Sequence, residues 1–185
     1  MSTSAEPAPG DPVLRHGSRV RLRPLAYADP LAQDLIERVQ REYVERYGGR
    51  DEAVVDGGEF DPPTGVFLVA EVDGEPAGCG AWRTVGENRA EIKRMYVAPG
   101  FRRRGLAQVI LAALEAGAGA AGCRSVVLNS GDRQPEALAL YADAGYGPVA
   151  GYGVYACAPG AVFLGKDLDA VSAQGRGREE QSWAS

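Results

Sequence analysis

IKRMYVAPGFRRRGLAQVILAALE, residues 92–115, reads as a strand, a turn, an arginine- and glycine-rich loop, and then an amphipathic helix. Within it, Arg102-Arg103-Arg104-Gly105-Leu106-Ala107 fits an R-x-x-G-x-A pattern where the helix has to begin. The first turn of a helix leaves backbone N–H groups without partners and carries a partial positive charge, which makes it a ready site for an anion. Gly105 lets the backbone approach a ligand closely, and the small Ala107 keeps the first turn uncrowded. Three consecutive arginines raise the local potential further. This is the pattern of a phosphate-binding loop.

Other phosphate loops are excluded. There is no G-x-x-x-x-G-K-[ST], Lys93 and Lys166 are the only lysines and neither follows a glycine loop, and no G-x-G-x-x-G follows a strand. By itself R-x-x-G-x-A is also what a solvated basic turn capping a helix would show. The neighbouring segments discriminate. Downstream, QPEALALYADAGY (134–146) places Pro135 at a first helical position and Gly145 just past a helix end. Upstream, AEIKRMYV (90–97) is a strand with an acidic residue near its start.

In this order and at these separations the three segments resemble the GNAT superfamily of N-acetyltransferases. The resemblance spans residues 65–168 closely and residues 19–47 in pattern. It implies acetyl-CoA as co-substrate, with the pyrophosphate held by the loop Arg102, Arg103, Arg104, Gly105, Leu106 and Ala107. It also implies that main-chain groups of Met95, Tyr96 and Val97 meet the pantetheine arm, as does Gln134, where many members have Asn. By the same resemblance Tyr141 serves the departing thiolate, and Glu91 draws the proton from the acceptor amine, through water. Tyr152 and Tyr155 fall where members often line the acceptor pocket, Asn129 ends the second parallel strand facing the splay, within reach of cofactor or acceptor, and members with exposed late strands often form homodimers.

The residues bear on these roles directly. A phenol is a proton donor at neutral pH, suited to a leaving thiolate; a core-facing aromatic on a short helix is the plainer account of Tyr141. A period of two puts Glu91, Lys93 and Met95 on one strand face and Ile92, Arg94 and Tyr96 on the other, and a Glu91–Lys93 pair can be purely structural. Asn129 suits loop capping as well as ligand contact. Residues 50–61 carry five acids against one arginine; they would attract a cationic amine or simply form a solvated loop. Trp82 reads as core or as cleft lining.

At 185 residues with a net charge of −5, one domain over residues 17–169 is expected, with a leader (1–16) and a tail (170–185) that lack apolar periodicity. The charge argues against a nucleic-acid partner. The single histidine, His16, lies in the leader, which removes most Ser-His and Cys-His schemes and most His-ligated metals. No metal is expected. Cys79, Cys123 and Cys157 are far apart, so neither a disulfide framework nor a zinc site is expected, and a reducing cytoplasm fits. Neither a secretory signal nor a membrane-spanning stretch is read.

The expected fold is α/β, a mixed and mostly antiparallel sheet with helices on both faces and two splayed parallel strands. Strands are predicted over residues 19–23, 66–72, 76–85, 89–97 and 125–129, with residues 149–157 and 161–165 as a closing antiparallel pair. Helices are predicted from Asp29-Pro30 to Gly48-Gly49, over residues 105–121, and around Tyr141. The expected reaction is acetyl transfer to a primary amine by direct attack in a ternary complex. A non-catalytic acyl-CoA sensor and a protein N-terminal or lysine acetyltransferase are the alternatives.

Overall fold

The structure, a computed structural model, describes residues 12–14, 17–53 and 55–168. His16, Trp183 and almost all of the leader and tail lie outside the described residues. In chain order the elements are β1 (Val20–Leu25), α1 (Pro30–Tyr47), β2 (Gly65–Val72), β3 (Glu75–Thr84), β4 (Arg89–Val97), α2 (Leu106–Ala120), β5 (Ser125–Gly131), α3 (Pro135–Asp143), β6 (Gly147–Pro148) and β7 (Ala161–Asp167). The strands form one seven-stranded sheet ordered β1-β2-β3-β4-β5-β7-β6. Only β4 and β5 run parallel, as the intervening helix requires.

Local signals set the ends of the elements. Asp29 Oδ1 accepts from the Leu31 N–H at 2.8 Å and Pro30 opens α1. At the other end Gly48, left-handed at φ 79°, donates its N–H to the Val44 carbonyl. Asp73 and Gly74 both take positive φ, 52° and 83°, the requirement of a tight two-residue hairpin turn.

The sheet separates two apolar layers. On one side α2 buries Leu106, Ile110, Leu111 and Leu114 against Val72, Trp82, Ile92 and Val126. On the other, α1 buries Leu35, Ile36 and Val39 against Phe67, Val69, Cys79 and Ala81. Phe60, in a short 3-10 turn (Gly57–Phe60), stacks on Tyr27 with ring centroids 5.0 Å apart and pins the long 48–65 connection to the α1 layer.

Strict alternation along β4 does not hold. Ala81 pairs with Lys93 but Cys79 pairs with Tyr96, so β4 carries one extra residue, and Arg94 takes φ +57°. This is a β-bulge. Beyond it the faces exchange: Met95 joins Ile92 in the α2 layer, and Tyr96 joins the α1 layer. The expected grouping of Met95 with Glu91 and Lys93, and of Tyr96 with Ile92, is corrected by this single inserted residue.

The closing pair is also shorter than expected. On the side of β7 away from β5 only Gly147–Pro148 forms a strand, Val149 donates one further backbone bond to the Phe163 carbonyl, and residues 150–157 form a loop with a 3-10 turn at Gly153–Tyr155. The positive φ of Gly153, 64°, turns the chain so that Tyr152 and Tyr155 reach different partners.

Gly65 is a close-approach position. A β-carbon there would run into the Glu59 carbonyl oxygen and stand 2.6 Å from that of Trp82. Gly65→Ala is expected to cost about 1–3 kcal/mol by overpacking, lowering Tm by several degrees in a thermal melt. An unchanged Tm would contradict the packing of the 57–60 turn on β2.

Candidate active site

The parallel pairing of β4 and β5 is confined to Arg89↔Ser125, Ala90↔Val126 and Glu91↔Val127. Beyond it the two strands part, and a cleft of about 700 Å³ opens, walled by α1, β4, the start of α2, β5 and α3.

At one end lies the start of α2. Its N-cap, Gly105, is left-handed at φ 92° and supplies no side-chain hydrogen bond. The first-turn amides therefore remain available to an anion. Arg103, Gly105, Leu106 and Ala107 line the cleft here. Arg102 lines it too, but its guanidinium donates to the Val97 carbonyl at 2.9 Å and to Glu42 at 3.0 Å. Arg104 lies instead against the Phe101 ring, 5.6 Å from its centroid. The three arginines thus take three different environments. Glu42 also holds Arg46, which pairs with Glu136 of α3, so ion pairs tie α1, the loop and α3 together around the mouth.

Tyr141, on α3, is buried and lines the cleft from the opposite wall. Burial, and to a smaller degree the neighbouring Tyr43, pushes its pKa well above the usual phenol value. Tyr43 faces the cleft from α1 and is itself pushed up to about 12 by burial, against the opposing charge of Arg94. Both phenols therefore keep their protons at any working pH. Gln134 lines the same wall, its Oε1 accepting from the Ser130 hydroxyl at 3.1 Å.

The far end, where β4 bulges, is polar. Arg94 donates to Asp51 Oδ2 at 2.6 Å. Asp51 Oδ1 accepts from the Tyr155 hydroxyl at 2.9 Å and from the Ala53 N–H at 3.1 Å. The buried Gln40 of α1 accepts the Asp51 N–H at 2.9 Å. Lys93, Arg94, Asp51 and Asn129 all line the cleft. Glu91 does not: it lies behind this wall, with Arg83 on its Oε2 at 2.9 Å and Lys93 3.6 Å from Oε1.

Of the expected site residues, the structure gathers Met95, Tyr96, Val97, Arg102, Arg103, Gly105, Leu106, Ala107, Asn129, Gln134 and Tyr141 around one cleft. Arg104, Glu91, Tyr152 and Tyr155 lie outside its wall. Tyr155 props Asp51 from behind. Tyr152 packs edge-on against Phe163, and burial together with the nearby Glu91 carboxylate lifts its pKa far above the phenol range. Trp82 lies in the α2 layer, away from this cleft. Sequence reading missed Tyr43, Asp51, Lys93 and Arg94 as cleft residues. A signal for Arg94 existed: strict alternation set a charged residue on the core side beside Ile92.

Among the described residues no helix is long and apolar enough to cross a membrane, and no cluster of His, Cys, Asp and Glu has metal-site geometry.

Two expectations follow from this geometry. Gly105→Glu puts bulk and negative charge where the α2 amides face the cleft; calorimetry should find coenzyme A binding lost in a protein with native circular dichroism, and retained affinity would refute the anion site. Burial alone would raise the Asp51 pKa, but Arg94, the Ala53 N–H and Tyr155 outweigh it, and the carboxyl sits below the ordinary range. A depressed carboxylate stabilises the fold above its unfolded pKa, and this contribution is lost as pH falls through the folded value. Asp51→Asn should cost about 3 kcal/mol at neutral pH, the low end for removing one partner of a buried pair. In denaturant titrations the gap to the parent protein should narrow below about pH 4; a gap independent of pH would show the charge to be irrelevant.

A model of the Acetyltransferase (GNAT) family matches residues 32–146. A protein of Azospirillum brasilense named IAA acetyltransferase is 32% identical over 135 residues, 72% of this chain and 88% of its own length. A provisionally assigned acyl-CoA N-acyltransferase of Klebsiella pneumoniae superposes with a TM-score of 0.69 at 31% identity, covering 80% of this chain and 97% of that one. The PaiA N-acetyltransferase of Thermoplasma acidophilum, solved with coenzyme A, shares the fold at a TM-score of 0.59 and 16% identity, over 80% of this chain and 98% of its own. With the family matched across the helix α1, the splayed strands, the arginine loop and the tyrosine helix, the chain belongs to the GNAT acetyltransferases and is an enzyme that transfers an acyl group from acyl-CoA.

Proposed function

We propose that the protein transfers an acetyl group from acetyl-CoA to a primary amine, by direct attack of the amine on the thioester within a ternary complex. The observation that carries this is one continuous cleft joining the uncapped α2 N-terminus to a polar pocket at the β4 bulge, with Tyr141 on its wall. The pyrophosphate belongs at the α2 amides. Gln134 and the main chain of Met95, Tyr96 and Val97 lie along the path of the pantetheine arm. Arg102 already occupies the Val97 carbonyl, so the other main-chain groups of this stretch are the ones left for that arm.

A nitrogen–carbon bond forms as the carbon–sulfur bond breaks, one proton leaves the amine, and coenzyme A departs as thiolate to be protonated. Tyr141 serves the sulfur. A thiol with a pKa near 8.5 is a stronger acid than a phenol raised above 10, so the thiolate does not take the phenolic proton outright. Tyr141 instead donates a hydrogen bond that strengthens as charge develops, the preorganised stabilisation that lowers a barrier. The proton from the amine passes through water towards Glu91, which lies one side chain behind the cleft wall between Arg83 and Lys93. Asn129, on β5 beyond the splay, faces the acceptor. Tyr155 and Tyr152 act from behind, by fixing Asp51 and covering Glu91. Three free cysteines with no disulfide fit a reducing compartment, which supports a cytoplasmic enzyme.

Tyr141→Phe keeps the ring and its contact with Tyr146 but removes the donor. Single-turnover rates of acetyl transfer should fall by about 10²–10³, the loss on removing one preorganised donor, with the binding constant for coenzyme A nearly unchanged. A parental single-turnover rate would leave Tyr141 as a packing residue.

A further inference from the structure

Two cations at the bulge end of the cleft have hydrogen-bonding capacity that the protein itself does not use. The Lys93 side chain is only 9% exposed, yet it lines the cleft. Its nearest acidic oxygen among the described residues, Glu91 Oε1, stands 3.6 Å away, beyond hydrogen-bond distance. Arg94, with a side chain 5% exposed, binds Asp51 and lies beside the Tyr27 hydroxyl, while its Nε is buried without a partner. Asp51 accepts from Arg94, Tyr155 and Ala53, and Glu91 Oε2 is taken by Arg83, with Oε1 facing Lys93 only at 3.6 Å. A buried ammonium carries three donors, leaving charged donors without acceptors is costly, and the cleft that Lys93 lines gives a ligand access to those Glu91 does not engage.

We infer that the acceptor is a small amine bearing its own anionic group, a carboxylate in the simplest case, which docks on Lys93 with Arg94 behind it. This rests on the acetyl-transfer reading above and narrows its substrate class. The carboxylate-bearing acceptor would thus be held at one end with its amine left towards the thioester.

The test compares matched pairs, each an amino acid and the amine obtained by decarboxylating it, with an aminoalkylphosphonate series alongside to separate carboxylate from phosphonate preference. Release of free coenzyme A thiol is measured with acetyl-CoA, in the parent protein and in Lys93→Met and Lys93→Arg. The anionic members should be preferred in kcat/KM by about tenfold to a hundredfold, the contribution of a charge-assisted hydrogen bond. Lys93→Met should collapse that ratio towards one, mainly through KM, and Lys93→Arg should restore part of it. Preference for the decarboxylated amines, or a ratio untouched by Lys93→Met, overturns the proposal. If no compound turns over, calorimetry of the same amino acids on the coenzyme A-loaded protein decides: binding that weakens in Lys93→Met supports the site, and no binding overturns it. A protein that neither binds nor cleaves acetyl-CoA would bring down the acetyl-transfer reading together with this one.

Discussion

The extra residue at Arg94 is the constraint on which the site depends. A strand in regular register with both neighbours would leave no gap for a ligand, because every main-chain group would be paired across the sheet. Here β4 pairs with β5 only as far as Glu91, and the bulge three residues on bends the strand and increases its local twist. A left-handed backbone at a non-glycine residue is uncommon and costs energy. It is held in place by the Arg94 ion pair with Asp51, which Tyr155 and Gln40 reinforce from two other segments. The inserted residue opens the cleft, and its own side chain anchors the connection that forms one of the walls.

The bulge also divides the chemistry between the two faces of the sheet. The α2 face is apolar almost throughout and its task is mechanical: Leu106, Ile110 and Leu114 lock the helix so that its first turn meets the cleft at a fixed place. The α1 face mixes an apolar layer with a buried polar cluster of Gln40, Asp51, Glu91, Lys93 and Arg94. Sending Met95 to the first face and Tyr96 to the second lets one strand serve both purposes within four residues. On the proposed reading, anion binding draws on backbone amides that folding positions anyway, whereas acceptor recognition needs side chains whose placement depends on a hydrogen-bonded network.

This division explains how much of the molecule was legible in its sequence. Elements with strong local signals came through nearly to the residue: α1 with its Asp29-Pro30 start and Gly48 stop, the Asp73-Gly74 hairpin, and α2 after the arginine loop. The α2 end of the cleft was readable because it is main chain at a helix start, which the pattern around Gly105 announces. The bulge end was not. Lys93 and Arg94 sit in a strand whose alternation fails at one position, and periodicity carries no term for a bulge. Asp51 lies in a connection rich in acids, where nothing local distinguishes it from its solvated neighbours. Residues 149–157 carry branched and aromatic side chains as a strand would, but Gly151 and Gly153, on either side of Tyr152, interrupt the side chains that hold strands in sheets.

The ion pairs around the cleft mouth set a further physical limit on the arginine loop. Arg102 is already committed to Glu42 and to the Val97 carbonyl, and Arg104 to the face of Phe101, so neither is free to meet a phosphate without giving up a contact. Exchange of one charged partner for another returns little net energy in water-exposed surroundings, whereas the uncapped amides of α2 gain hydrogen bonds they otherwise lack. Affinity for an anion at this loop therefore rests chiefly on Gly105 and the first helical turn, and the arginines supply long-range attraction that salt screens over about 10 Å. Arg102, by pairing with Glu42 beside the α1–α3 clasp of Arg46 and Glu136, ties the loop to the two helices that wall the cleft. In this loop the charge serves the shape of the site, and the backbone serves its ligand.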